Sequence, residues 1–159
     1  MTRSSLSLQP MLSKVFLLIL LLPLGAIAQQ RGLEIDIVGG NASALPIAMV
    51  PMPYQGTAAP TDIAEVVRAD LARSGQFRPM PANEMGAQRP TRGSEIDFGF
   101  WQQAKQNFVV VGRVLDAGDG GYRVEYELFD IGRNRLLAFA LTARANAMRD
   151  VAHQVADAI

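Results

Sequence analysis

The chain contains no cysteine, one histidine and one tryptophan in 159 residues. Without cysteine there is no disulfide framework and no thiolate metal site, so an exported chain of this kind has to be held by packing alone. With His153 as the sole histidine, any triad or imidazole-ligated metal site must pass through that residue. An excess of one charge is lacking too, because 15 basic residues balance 15 acidic ones. The arginines are scattered among carboxylates, with no basic stripe of the kind nucleic-acid binders carry, so nucleic acid is excluded as the expected partner.

What is present begins with an apolar run, VFLLILLLPLG, preceded by Arg3 and Lys14 and followed by Ala26 and Ala28 ahead of Gln29. That order is a secretory leader: charged segment, apolar core, small-residue cleavage site. The core is too short, and too broken by Pro23, for a span of roughly 20 apolar residues. No cysteine follows for lipid attachment, and no twin arginine precedes the core. The expectation is a signal peptide over residues 1–28, cleavage between Ala28 and Gln29, and export to the periplasm. The remaining 29–159, slightly acidic once Arg3 and Lys14 are gone, is sized for one domain.

Residues 33–47, LEIDIVGGNASALPI, open that domain. Leu33, Ile35 and Ile37 alternate with Glu34, Asp36 and Val38, a period of two that marks a half-buried or edge strand. Gly39 and Gly40 then break it, and a glycine pair makes docking of the preceding strand costly and reversible. The stretch reads either as a fixed first strand or as a loose arm. LPIAMVPM (45–52) follows as a buried strand with Pro46 and Pro51 marking its ends. Thr61 stands before DIAEVVRADLARSG, where Ile63, Val66, Val67 and Leu71 recur at helical spacing and Gly75 supplies the left-handed stop. QFRPM predicts a short edge strand. The Pro- and Gly-rich stretch 79–93 has little periodicity and is expected to be a mobile loop. Phe98 and Trp101 predict the inward face of a short helix capped by Ser94 or Asp97.

The last third predicts an antiparallel meander. FVVVGRVLD reads as a central strand with both faces covered. AGDGG is a hairpin turn, and YRVEYELFDI places Tyr122, Val124, Tyr126 and Leu128 on one face with Arg123, Glu125 and Glu127 on the other. RLLAFALTA is the third strand, and NAMRDVAHQVADAI is a helix whose stripe is Met148, Val151, Val155 and Ile159. That stripe reaches the final residue without a cap, which points to a chain that continues.

Little of this carries chemistry. His153 lies between Ala152 and Gln154 with no nucleophile or acid near it in sequence, so it reads as a spectator. Asp116 and Asp119 resemble half a calcium loop without its full ligand ladder or terminal glutamate, and read as turn residues. Gly118, Gly120 and Gly121 lead into a strand, so they form no phosphate-binding helix terminus. Glu125 and Glu127 share a strand face as a dyad would, yet read as a solvated face. A hydrolase built on His153 is the weakest reading, and neither cofactor, metal nor small-molecule substrate is expected.

Together LEIDIVGGNASALPIAMVPM, TDIAEVVRADLARSGQFRPM, VVVGRV and GYRVEYELFD, in that order behind a leader, resemble the N-terminal domain of the TolB family. The resemblance implies an α/β fold of the anticodon-binding-domain-like type: a mixed five-stranded sheet with helices on its faces. It also implies a β-propeller beyond Ile159 that binds the lipoprotein Pal. Its further implication is a non-enzymatic periplasmic adaptor in the Tol-Pal system, coupling TolA to Pal for outer-membrane invagination at cell division and for outer-membrane integrity. In that family a stretch at the mature N-terminus alternates between docked and released states and engages the periplasmic C-terminal domain of TolA. By position it falls on Gly32, Leu33–Val38, Gly39, Gly40, Asn41, Ala42 and Ser43, within a flexible arm of residues 29–43. A second expectation is a free-standing accessory factor of outer-membrane assembly with the same α/β domain.

Overall fold

A computed structural model describes residues 44–54, 56 and 59–159. They form one five-stranded mixed sheet in the order β2-β1-β3-β4-β5. The strands are β1 (Leu45–Met49), β2 (Phe77–Pro79), β3 (Phe108–Gly118), β4 (Gly121–Asp130) and β5 (Arg135–Arg144); helix α1 (Ile63–Ser74) joins β1 to β2, α2 (Phe98–Gln103) precedes β3, and α3 (Met148–Ala158) follows β5. β1 runs parallel to both β2 and β3, whereas β3, β4 and β5 are an antiparallel meander.

The parallel half needs its crossover, and α1 supplies it. Asp62, one residue after the expected Thr61, is the helix cap: its carboxylate accepts the Glu65 backbone N–H at 3.0 Å. The left-handed turn at Gly75, φ 70°, ends the helix as its position predicts. Pro46 corrects the expected strand boundary. It lies inside β1, and a proline in a central strand is ordinarily excluded because it removes a ladder donor. It is tolerated here because β3 begins one residue later, with Phe108 opposite Ile47, so the β3 side of Pro46 offers only its carbonyl, which accepts the Asn107 N–H at 3.0 Å.

The two sheet faces are covered unequally. On the first face, Ile63, Val67 and Leu71 of α1 and Met148, Val151 and Val155 of α3 pack on Ile47, Met49, Val110, Val114, Val124, Tyr126 and Leu128. Burying each such side chain contributes about 1.5–3 kcal/mol. On the second face, Trp101 of α2 and Met85 cover Ala48, Val50, Val109, Val111 and Phe129. The expected mobile loop is corrected at this point: 79–93 contains the 3₁₀ turn Ala82–Met85 and leads into a second at Gly93–Glu95, and Met85 is fully buried. A buried methionine anchors the middle of a stretch whose polar composition hides it. α2 is capped by Asp97, which accepts the Phe100 N–H at 3.2 Å, and not by Ser94.

Between β3 and β4 the chain reverses through Asp119 and Gly120, both at positive φ, the geometry of a two-residue hairpin turn matched to strand twist. β5 is the opposite case to β1. It is the last strand of the sheet, and along its length Leu136 and Phe139 are 51% and 55% exposed.

Candidate interaction surface

The second face over β4 and β5 is where the structure leaves side chains uncovered. Cross-strand pairs set it: Glu125 stands opposite Arg113 and Ala140, and Glu127 opposite Ala138. A groove of about 320 Å³ lies there, bounded by Thr91 and Arg92 on one side and by Ala138–Ala140 of β5 on the other. Its floor is small because alanines replace the bulky residues found elsewhere on the sheet.

Glu125 and Glu127 are not a solvated pair. Glu125 accepts from Arg113 at 2.6 Å and from Arg123 at 2.9 Å, and Glu127 accepts the Gly93 backbone N–H at 3.0 Å and Arg135 at 3.3 Å. Both carboxylates are half-buried. The Arg123 and Arg113 guanidiniums hold the Glu125 carboxyl below the usual carboxylate range. A general acid needs the opposite shift, so Glu125 is placed to position the two arginines. Glu95 joins the network at its rim, accepting the Thr91 N–H at 2.7 Å and pairing with Arg92 at 3.3 Å.

His153 is likewise not alone. α3 sets its Nδ1 2.5 Å from Asp70 Oδ2 on α1, a partner 83 positions away in sequence, and Asp70 also pairs with Arg73. The His153 hydrogen bond holds the Asp70 carboxyl below its ordinary value. A carboxylate with a depressed folded pKa contributes stability that is present above its unfolded pKa and lost as pH falls through the folded one. Asp70→Asn is therefore expected to lower stability at pH 7 by about 1 kcal/mol and to flatten the acid limb of the stability profile. Urea unfolding followed from pH 7 down to about pH 2 checks this, and parallel wild-type and variant profiles refute it. No nucleophilic side chain hydrogen-bonds to His153 or Asp70 among the described residues, so the pair reads as an α1–α3 clasp.

Asp116 accepts the Gly118 N–H at 2.7 Å and belongs to the hairpin. Among the described residues, no group of three or more His, Asp or Glu is placed to hold a metal ion, and no helix is long and apolar enough to cross a membrane. Gly32–Ser43 and the Ala28–Gln29 junction lie outside the described residues. Sequence reasoning missed the groove because its residues come from four separate segments. The one signal available was the run of small residues, Ala138 and Ala140, in the third meander strand.

The described residues thus define a small mixed α/β domain in which Glu125, Glu127 and His153 are held in ion pairs and Asp116 in a turn, with side chains left uncovered at one end of its sheet. The model of the family described as TolB amino-terminal domain matches residues 33–137, and the chain belongs to that family. It is 64% identical over 146 residues to the Tol-Pal system protein TolB of Xanthomonas oryzae pv. oryzae, covering 90% of this chain and 33% of the relative. It is 66% identical over 143 residues to that of Xanthomonas campestris pv. campestris, covering 88% of the chain and 32% of the relative. Among solved structures, the crystal structure of TolB from Acinetobacter baumannii superposes with a TM-score of 0.59 at 29% identity, over 72% of this chain and 27% of that one. The chain spans about a third of the length of the curated relatives it matches.

Proposed function

We propose that this chain is the N-terminal module of a periplasmic Tol-Pal adaptor that works by binding and not by catalysis, with Gly32–Ser43 as the segment captured by the periplasmic C-terminal domain of TolA. The observation that carries the reading is the family match over residues 33–137, together with relatives at 64% identity that are named as Tol-Pal proteins. The Pal-binding function belongs to a propeller beyond residue 159, and the coupling of TolA to Pal serves outer-membrane invagination at division and outer-membrane integrity. Export follows the signal peptide cleaved between Ala28 and Gln29.

The arm's sequence suits capture. The alternation of Leu33, Ile35 and Ile37 with polar neighbours is the pattern of a segment that, on adding to a partner's sheet edge, would turn one apolar side toward the partner's pockets. Ordering such a segment costs about 1–2 kcal/mol per residue, which keeps net affinity modest and exchange rapid. In a calorimetric titration of the TolA C-terminal domain, deletion of residues 32–43 is expected to weaken binding at least about a hundredfold, since it removes the whole contact. Equal affinity with and without the segment overturns the assignment.

A further inference from the structure

We propose that the outer edge of β5, with the groove beside it on the second face, docks an extended acidic segment of a partner protein, which joins the sheet as a sixth strand. This contact lies in the folded domain and is separate from the one assigned to Gly32–Ser43.

β5 is ten residues long and terminates the sheet order; among the described residues nothing pairs with its outer side. A long edge of unpaired backbone groups is a template for another strand, and proteins usually blunt it with proline, lysine, shortness or a covering element. β5 contains neither proline nor lysine. Its only charges are Arg135 and Arg144 at the two ends, which leaves eight uncharged residues between them.

The two sides of the edge then ask for different residues. On the first face Leu137, Phe139 and Leu141 alternate along β5, with the Phe139 ring 6.0 Å from Tyr126. An added strand needs apolar side chains there, because Phe139 is more than half exposed. On the second face Ala138 and Ala140 are exposed and small, so an added strand's side chains have room to lie over them toward Arg92 and Arg113.

Charge decides the chemistry of that second set. Arg92, Arg113, Arg123 and Arg135 face Glu95, Glu125 and Glu127, and every one of these carboxylates already pairs with an arginine. The surplus is therefore cationic. Arg113 also has its Nε sheltered from solvent with no acceptor, an unmet demand for a hydrogen-bond acceptor and not for a donor. A lysine-bearing segment would compete with the arginines for the same three carboxylates. A glutamate- or aspartate-bearing one adds acceptors where donors are in excess.

The test uses the purified chain labelled for NMR and titrated with a blocked heptapeptide alternating valine with glutamate, and with its lysine counterpart. Amide shifts are expected to be confined to β5 and to the Thr91–Glu95 segment, and the lysine peptide is expected to bind at least about tenfold more weakly. Ala138→Glu, at an exposed position, is expected to lose at least about tenfold in affinity for the glutamate peptide while still unfolding cooperatively from the same fold. Failure of the glutamate peptide to bind overturns the proposal, as does equal binding of the two peptides or a shift pattern centred elsewhere. Protection, in the free dilute chain, of those β5 amides that point away from β4 would show that the chain's own arm holds the edge. Protection that grows with concentration would assign the edge to a second copy. Either result also overturns the proposal, and neither depends on how TolA binds the arm.

Discussion

Trp101→Ala is expected to destabilise the domain by about 3–5 kcal/mol, a large share of the 5–15 kcal/mol typical of a domain this size. Trp101 is fully buried and is the largest side chain in the second-face core. α2, which carries it, has six residues, far too few to be helical by itself, so the helix exists because Trp101 is seated. The ring stands edge-on to Phe100 at 4.9 Å, and the Trp101 carbonyl accepts the Gln106 N–H at 3.0 Å, which helps set the chain's entry into β3. Truncation leaves a cavity that Met85, Val109 and Val111 cannot close without moving the sheet. The indole Nε1 has no hydrogen-bond partner, so the loss is one of packing, and Trp101→Phe is expected to retain more than half of the stability that alanine forfeits. Urea unfolding followed by far-UV circular dichroism checks both. A loss below about 1 kcal/mol for the alanine variant would show that α2 is held by other contacts.

Residues whose environment is local in sequence are legible in the sequence alone. The period of two from Tyr122 to Leu128 defined the β4 faces, the glycine at 75 stopped α1, and Phe98 with Trp101 one turn apart marked the buried side of α2. The antiparallel meander follows from such patterns, and the five-stranded mixed sheet from the family resemblance. What stayed hidden was set by register and by contacts across long separations. Glu127 reads as a solvated residue until Gly93, 34 positions earlier, is brought against it. His153 lacks an acid until α1 and α3 pack side by side and deliver Asp70. Met85 looks like one apolar residue in a polar loop, and only the uncovered patch beneath it explains its burial. Hydrophobic periodicity reports which face of an element is buried, but it carries no information about which distant polar group will neutralise a given charge. For that reason the ion-pair network around the groove and the α1–α3 clasp emerged only from the fold.

Gly112→Ala is expected to cost about 2–3 kcal/mol, although a glycine in a strand ordinarily gains stability when replaced by alanine. The sign reverses because of what crosses β3 at this point. After β1 ends, the chain continues alongside β3: Val50 donates to the Val110 carbonyl at 3.0 Å, Val114 donates to the Pro53 carbonyl at 3.0 Å, and Tyr54 bridges to Val114. Met52 is thereby laid over Gly112. A Cβ at 112 would lie 2.6 Å from the Met52 Cε and 2.5 Å from the Glu125 carbonyl oxygen. The methionine end is flexible and yields. The Glu125 carbonyl belongs to the β4 backbone opposite β3, and it moves only if the β3–β4 ladder opens. Met52→Ala combined with Gly112→Ala should therefore recover only part of the loss, and the double-mutant cycle separates the side-chain clash from the backbone one. Full recovery in the double variant would place the whole constraint on Met52. The same strand shift would disturb Glu125 and the Arg113 and Arg123 contacts it makes on the opposite face. A weakened response of the β5 groove to the glutamate peptide should thus accompany the loss of stability, linking a glycine on the covered face to the shape of the open one.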